Sequence, residues 1–129
     1  MDSEQSKLYD ILIECLKRAP SAPDTASLRA LSSQEWSNLL ALAAGQRVTP
    51  YLWHRFKQKK LAGFVPETAA AALRESLRRN TLKNLLFNGE LLKLLAVLEK
   101  EDIPLILLIG IVLANTVYEN IGLREINDI

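Results

Sequence analysis

The chain has one cysteine and one histidine in 129 residues. A single thiol excludes an intrachain disulfide, and Cys15 with His54 cannot furnish a Cys/His zinc site. Aromatic residues make up only 6%, while Leu and Ala dominate, which favours helices over a β-sandwich. Five Gly and five Pro exclude collagen-like or low-complexity chains. No apolar run reaches the roughly 20 residues of a membrane span. The most hydrophobic stretch, Ile103 to Val117, is interrupted by Pro104, Gly110, Asn115 and Thr116. The N-terminus, Met1-Asp2-Ser3-Glu4-Gln5, is acidic and polar, unlike a secretory signal. With no membrane contact and no disulfide, a cytoplasmic location is expected.

What is present is an ordinary globular composition, 49% apolar and 24% charged. Net charge is +1 but unevenly placed. Residues 1–35 carry −2, residues 36–83 carry +7 and residues 84–129 carry −4. The bases of the middle third are Arg47, Arg55, Lys57, Lys59, Lys60, Arg74, Arg78, Arg79 and Lys83. They offer a contact for a polyanion, or equally a solvated helix face.

Hydrophobic periodicity predicts four helices in the first 101 residues. Residues 4–18 carry Leu8, Leu12, Cys15 and Leu16 on one stripe, which makes Cys15 a small buried hydrophobe. Ala19-Pro20-Ser21-Ala22-Pro23-Asp24 breaks that helix. Ser32 and Glu35 form an S-x-x-E capping box for residues 33–45, with Trp36, Leu39, Leu40 and Ala43 inward and Gly45 as terminator. Pro50 opens residues 50–60, where Tyr51, Leu52, Phe56 and Leu61 face inward. His54, in a Trp-His-Arg-Phe run, reads as exposed or packed on its stem rather than catalytic. Residues 66–101 form a helix of about 50 Å. Its expected buried stripe is Ala70, Leu73, Leu77, Leu85, Leu91, Leu94, Leu95 and Leu98. Asn80, Asn84 and Asn88 lie four apart on one face, either exposed or as three amides beside a site.

After the charge run Glu99-Lys100-Glu101-Asp102 the pattern changes. Leu105 to Ile109 is a continuous apolar run, which suits a strand buried on both faces. Gly110 follows, residues 111–119 return to helical character, Asn120-Ile121-Gly122 is a turn, and residues 126–129 begin a second strand. The fold class is thus mostly α: a helical bundle with one long helix, then an incomplete βαβ start. The alternative for 105–109 is a backward extension of the following helix to Pro104. The division falls at 1–102 and 103–129.

This last segment resembles a known bacterial family. Ile103-Pro104 with its apolar run, Gly110, Leu113-Ala114, Val117-Tyr118, Gly122-Leu123-Arg124 and Asp128-Ile129 match its pattern of motifs. Val48-Thr49-Pro50-Tyr51-Leu52 and Lys83-Asn84-Leu85-Leu86 are similar to its upstream segments. The family is the uncharacterised nucleotidyltransferases of the DNA polymerase β-like superfamily. The resemblance implies transfer of a nucleotidyl group from an NTP to an unknown acceptor, with Mg²⁺ held by two aspartates. Gly110 and Arg124 would then be nucleotide-binding, and Asp128 the first metal carboxylate. A glycine before a helix admits phosphate to free N–H groups, and carboxylates at i and i+2 of a strand share a face.

Two departures argue against catalysis by this polypeptide. Ile109 stands where members carry Lys, and the chain reaches Ile129 without the second aspartate. Glu125 also replaces a usual Pro. The sequence therefore predicts an inactive fragment of a nucleotidyltransferase. The alternative is a helical module that binds a protein partner or a polyanion. An unpartnered apolar segment at 105–109 further predicts a homo-oligomer.

Overall fold

The structure is a computed structural model that describes residues 2–18, 21, 23–107 and 110–126. Six α-helices follow in order: α1 (Ser3–Leu16), α2 (Thr25–Arg29), α3 (Ser33–Gly45), α4 (Thr49–Gln58), α5 (Glu67–Lys100) and α6 (Gly110–Thr116). A 3₁₀ turn at Ala62–Phe64 joins α4 to α5. Local signals account for most helix starts. Asp2 caps α1 and Asp24 caps α2 through side-chain oxygens on backbone N–H groups. Ser32 and Glu35 form the full reciprocal box on α3. Lys7 Nζ also lies 3.0 Å from Glu35, tying α1 to α3. Pro50 sits in the first turn of α4. The short helix α2 is an addition to the sequence reading.

The main core lies between α1, α3, α4 and the first half of α5. Leu39, Leu52, Phe56 and Leu73 are fully buried in it, and Trp36 meets Phe56 with ring centroids 6.3 Å apart. Cys15 belongs to this core, and burial pushes its thiol up to about 12, so the sulfur stays protonated and unreactive. A second, smaller cluster joins α5 to the C-terminal segment. Its buried members are Leu91, Ile111, Ala114 and Ile126.

The expected stripe along α5 is only half correct. Ala70, Leu73 and Leu91 are buried, but Leu85 is 51% and Leu94 is 49% exposed. Leu77, Leu95 and Leu98 are half-buried. α5 is about 50 Å long, whereas α1, α3 and α4 are at most about 21 Å. The far half of α5 therefore runs past the helices that would cover it.

The βαβ start is also corrected. Residues 103–107 have no regular secondary structure and are exposed, Ile106 to 83%. There is no strand and no extension of α6 back to Pro104 among the described residues. The apolar run meets no sheet neighbour to take its backbone hydrogen bonds. The helix expected at 111–119 is shorter, ending at Thr116. Leu108, Ile109 and the strand expected at 126–129, beyond Ile126, lie outside the described residues.

Gly45 does not occupy the left-handed position that ends α3. That position is Arg47, with φ 58°. Lys60 (φ 56°) and Asp102 (φ 56°) end α4 and α5 in the same way. At each, paired bonds close the turn, such as Leu61 N–H to Phe56 O at 2.8 Å and Lys60 N–H to Lys57 O at 3.2 Å. A side chain in this conformation costs about 1 kcal/mol. Lys60 is exposed and makes no ion pair among the described residues. Lys60→Gly is expected to raise the melting temperature by about 3 °C. Calorimetry showing no rise would mean the left-handed turn carries no strain.

Candidate functional site

The C-terminal segment is fastened to α5 by asparagines. Asn80 Nδ2 donates to Gly122 O at 2.6 Å and Arg124 O at 2.9 Å. One turn later Asn84 Nδ2 donates to Ile121 O at 2.6 Å and Arg124 O at 2.7 Å. Asn88 Oδ1 accepts from Asn115 Nδ2 of α6 at 3.3 Å. Asn80 and Asn84 are buried, so the i, i+4 spacing marks a clamp and not a solvent-facing row. Asn84 Oδ1 is itself buried without a hydrogen-bond partner among the described residues.

Gly122 owes its identity to this clamp. A Cβ there would overlap Thr81 Oγ1 and lie 2.9 Å from Thr81 Cβ and 3.1 Å from its Cα. Thr81 cannot swing away freely, because its hydroxyl donates to Leu77 O at 2.7 Å. Gly122 N–H donates to Asn120 Oδ1 at 2.7 Å, which closes the turn before it. Gly110 opens α6, and a Cβ there would meet Ile126 Cγ2 at an ordinary 3.6 Å. The glycine of the Gly-Leu-Arg motif is thus a close-packing glycine, and Gly110 has room to spare.

Arg124 occupies two environments. Its carbonyl receives both asparagine amides, while its side chain lines a cleft of about 950 Å³. The other walls come from the end of α1, the α3–α4 turn, α4, and residues after α6. Arg18, Arg47 and Arg55 line it together with Arg124. His54 Nε2 is 3.1 Å from Glu119 Oε2, and Gln58 Nε2 donates to the same oxygen at 3.2 Å. Tyr51 meets Tyr118 edge to face with centroids 5.9 Å apart. Arg55 stacks on the Tyr51 ring and donates to its hydroxyl.

The nine bases of the middle third do not form one patch. Arg74, Arg78 and Arg79 are on α5 and pair with Glu67 or Glu75. Lys57 and Arg74 lie over the face of Trp53. Lys59 Nζ donates to Glu14 O at 2.8 Å, and burial lowers its pKa. Only Arg47 and Arg55 of the set enter the cleft.

Of the residues singled out for nucleotide and metal chemistry, the structure brings Arg124 to the cleft and Gly110 to the small cluster. Asp128 lies outside the described residues. Among the described residues, no group of three His, Cys, Asp or Glu side chains could hold a metal ion. Sequence reasoning missed Arg18, Tyr51, His54 and Glu119 as neighbours of one cleft, since no spacing rule links segments this far apart.

The chain belongs to the family described as uncharacterised nucleotidyltransferase, which matches residues 32–129. Neither the curated proteins nor the solved structures contain a match. No helix among the described residues is long and apolar enough to cross a membrane.

Proposed function

We propose that the chain is a non-catalytic member of the nucleotidyltransferase family, built to position the segment that would contact an NTP. The family match over residues 32–129 carries this reading. The asparagine clamp supports it, since it fixes the Gly-Leu-Arg turn immediately ahead of Asp128. By resemblance, Gly110 and Arg124 face the nucleotide and Asp128 is a ligand for Mg²⁺. Ile109 leaves no cation where the family carries Lys. Incubation with each labelled NTP, Mg²⁺ or Mn²⁺ and candidate acceptors is expected to give no transfer above background. Metal-dependent labelling that disappears in Asp128→Ala would overturn the non-catalytic reading.

A second reading, a helical interaction module that self-associates, rests on a different observation. Leu86 is 70%, Leu92 60% and Val97 59% exposed on the uncovered half of α5. Ile103, Leu105 and Ile106, beyond the end of α5, are exposed as well. Sedimentation at micromolar concentration is expected to show a dimer or larger species that Leu86→Asp shifts to monomer. A wild-type monomer at that concentration would remove this reading.

A further inference from the structure

We propose that the arginine cleft, which shares Arg124 with the nucleotide contact proposed above, binds a phosphate group without a metal ion. Four guanidiniums line it, from Arg18, Arg47, Arg55 and Arg124. Its carboxylates are Glu119 and Glu125, so the lining keeps a surplus of two positive charges with His54 neutral. Glu119 does not neutralise an arginine, because its Oε2 is held by His54 and Gln58. None of the four arginines makes an ion pair among the described residues, whereas Arg74, Arg78 and Arg79 on α5 all do.

That contrast is unusual for a chain with nearly balanced charge. Fifteen carboxylate side chains are available to sixteen basic ones, yet the concave surface gathers arginines that make no ion pair among the described residues. Arg55 and Arg124 also leave Nε buried with no acceptor among the described residues. Guanidiniums lining one cleft repel one another, and the half-burial of Arg55 and Arg124 weakens the screening that water provides. An oxyanion reverses both effects. Phosphate suits this lining better than carboxylate, since it offers three or more acceptor oxygens to forked donors on different walls. The volume accommodates a small phosphorylated molecule. Tyr51 and Tyr118 add hydroxyl and ring surface beside the charges.

The phosphate could come from a nucleotide or from a sugar phosphate. Calorimetric titration of the full chain in EDTA with pyrophosphate, ATP and ribose 5-phosphate separates these sources. EDTA silences metal-dependent nucleotide binding, so this result stands apart from the transferase reading. Pyrophosphate is expected to bind and to lose affinity as salt is raised. Arg18→Gln combined with Arg47→Gln is expected to weaken it at least tenfold. Both side chains are exposed and outside the core, so the fold is retained. Arg78→Gln, on the outer face of α5, is expected to leave binding unchanged. ATP binding tighter than pyrophosphate would assign the ring contacts to a base, while ribose 5-phosphate binding tighter would assign the site to a sugar phosphate. No binding by any of the three, binding that survives the double substitution, or equal loss in Arg78→Gln would overturn the proposal.

Discussion

Gly122→Ala is expected to release residues 110–126 from α5 while the main core stays folded. The added methyl overlaps Thr81, whose hydroxyl is committed to Leu77 O and whose Cα is part of the helix itself. Relief requires the turn to move outward. That motion stretches the four bonds that Asn80 and Asn84 make to the carbonyls of residues 121, 122 and 124. Overpacking of this kind costs about 1–3 kcal/mol, and each lost bond adds about 1 kcal/mol. Against this, the small cluster offers four buried apolar residues, of which Ile111, Ala114 and Ile126 come from the released segment. The main core shares none of its buried residues with that cluster. The loss should therefore be local. Hydrogen exchange is expected to show amides of 110–126 losing at least a hundredfold protection, with little change over residues 36–56. Unchanged protection in 110–126, or an equal loss across both regions, would contradict this division.

The same division explains which features were legible in the sequence. Helix starts depend on residues within one turn, so Ser32 with Glu35 and Pro66 before Glu67 could be read directly. Burial of Leu8, Leu12 and Cys15 follows from period and composition. The stripe over Leu85 and Leu94 failed for a different reason. Periodicity shows which face could meet a partner, and nothing local reveals that α1, α3 and α4 stop short of it. The run from Leu105 fails similarly: apolarity signals a need for burial, whereas a strand also needs neighbours for its N–H and C=O groups. The terminator expected at Gly45 is misplaced by two residues, because Arg47 takes the left-handed position instead.

The candidate site was legible as chemistry but not as geometry. Gly122 and Arg124 stand out as part of a motif, and Asn80, Asn84 and Asn88 as a spaced set. That these two groups meet is a tertiary fact across some 40 residues. The cleft is less legible still. Arg18 follows α1, Arg47 sits in the α3–α4 turn and Arg124 lies near the end, and only the docked C-terminal segment brings them together.

Asn84→Asp should convert the clamp into a pH-dependent latch. Asn84 is fully buried and its amide nitrogen points two hydrogens at the carbonyls of Ile121 and Arg124, 2.6 and 2.7 Å away. A carboxylate would place negative oxygen against those two acceptors, without water to screen it. An uncompensated buried charge of this kind costs about 4 kcal/mol. Burial and repulsion both favour the protonated form, so the folded pKa of the new aspartate rises above its unfolded value of about 3.9. The folded chain then binds the proton more tightly than the unfolded one. Stability relative to wild type is therefore lowest above the raised pKa and recovers as pH falls through it. A protonated acid restores one donor for the two carbonyls. The native carboxylates act in the opposite direction. Hydrogen bonds to Lys17, Lys7 and Arg78 hold Glu14, Glu35 and Glu75 below their usual range, so their contribution fades on acidification below about 4.5. Comparison with wild type between pH 7 and pH 5 keeps the two effects apart. Amide exchange of residues 110–126 is expected to show a large deficit at pH 7 that narrows at pH 5. Asn84→Leu loses the same two bonds without a charge, so its deficit should be smaller at pH 7 and flat across that range. A deficit in Asn84→Asp that is equally flat would show that water reaches position 84 and that the clamp is not buried in solution.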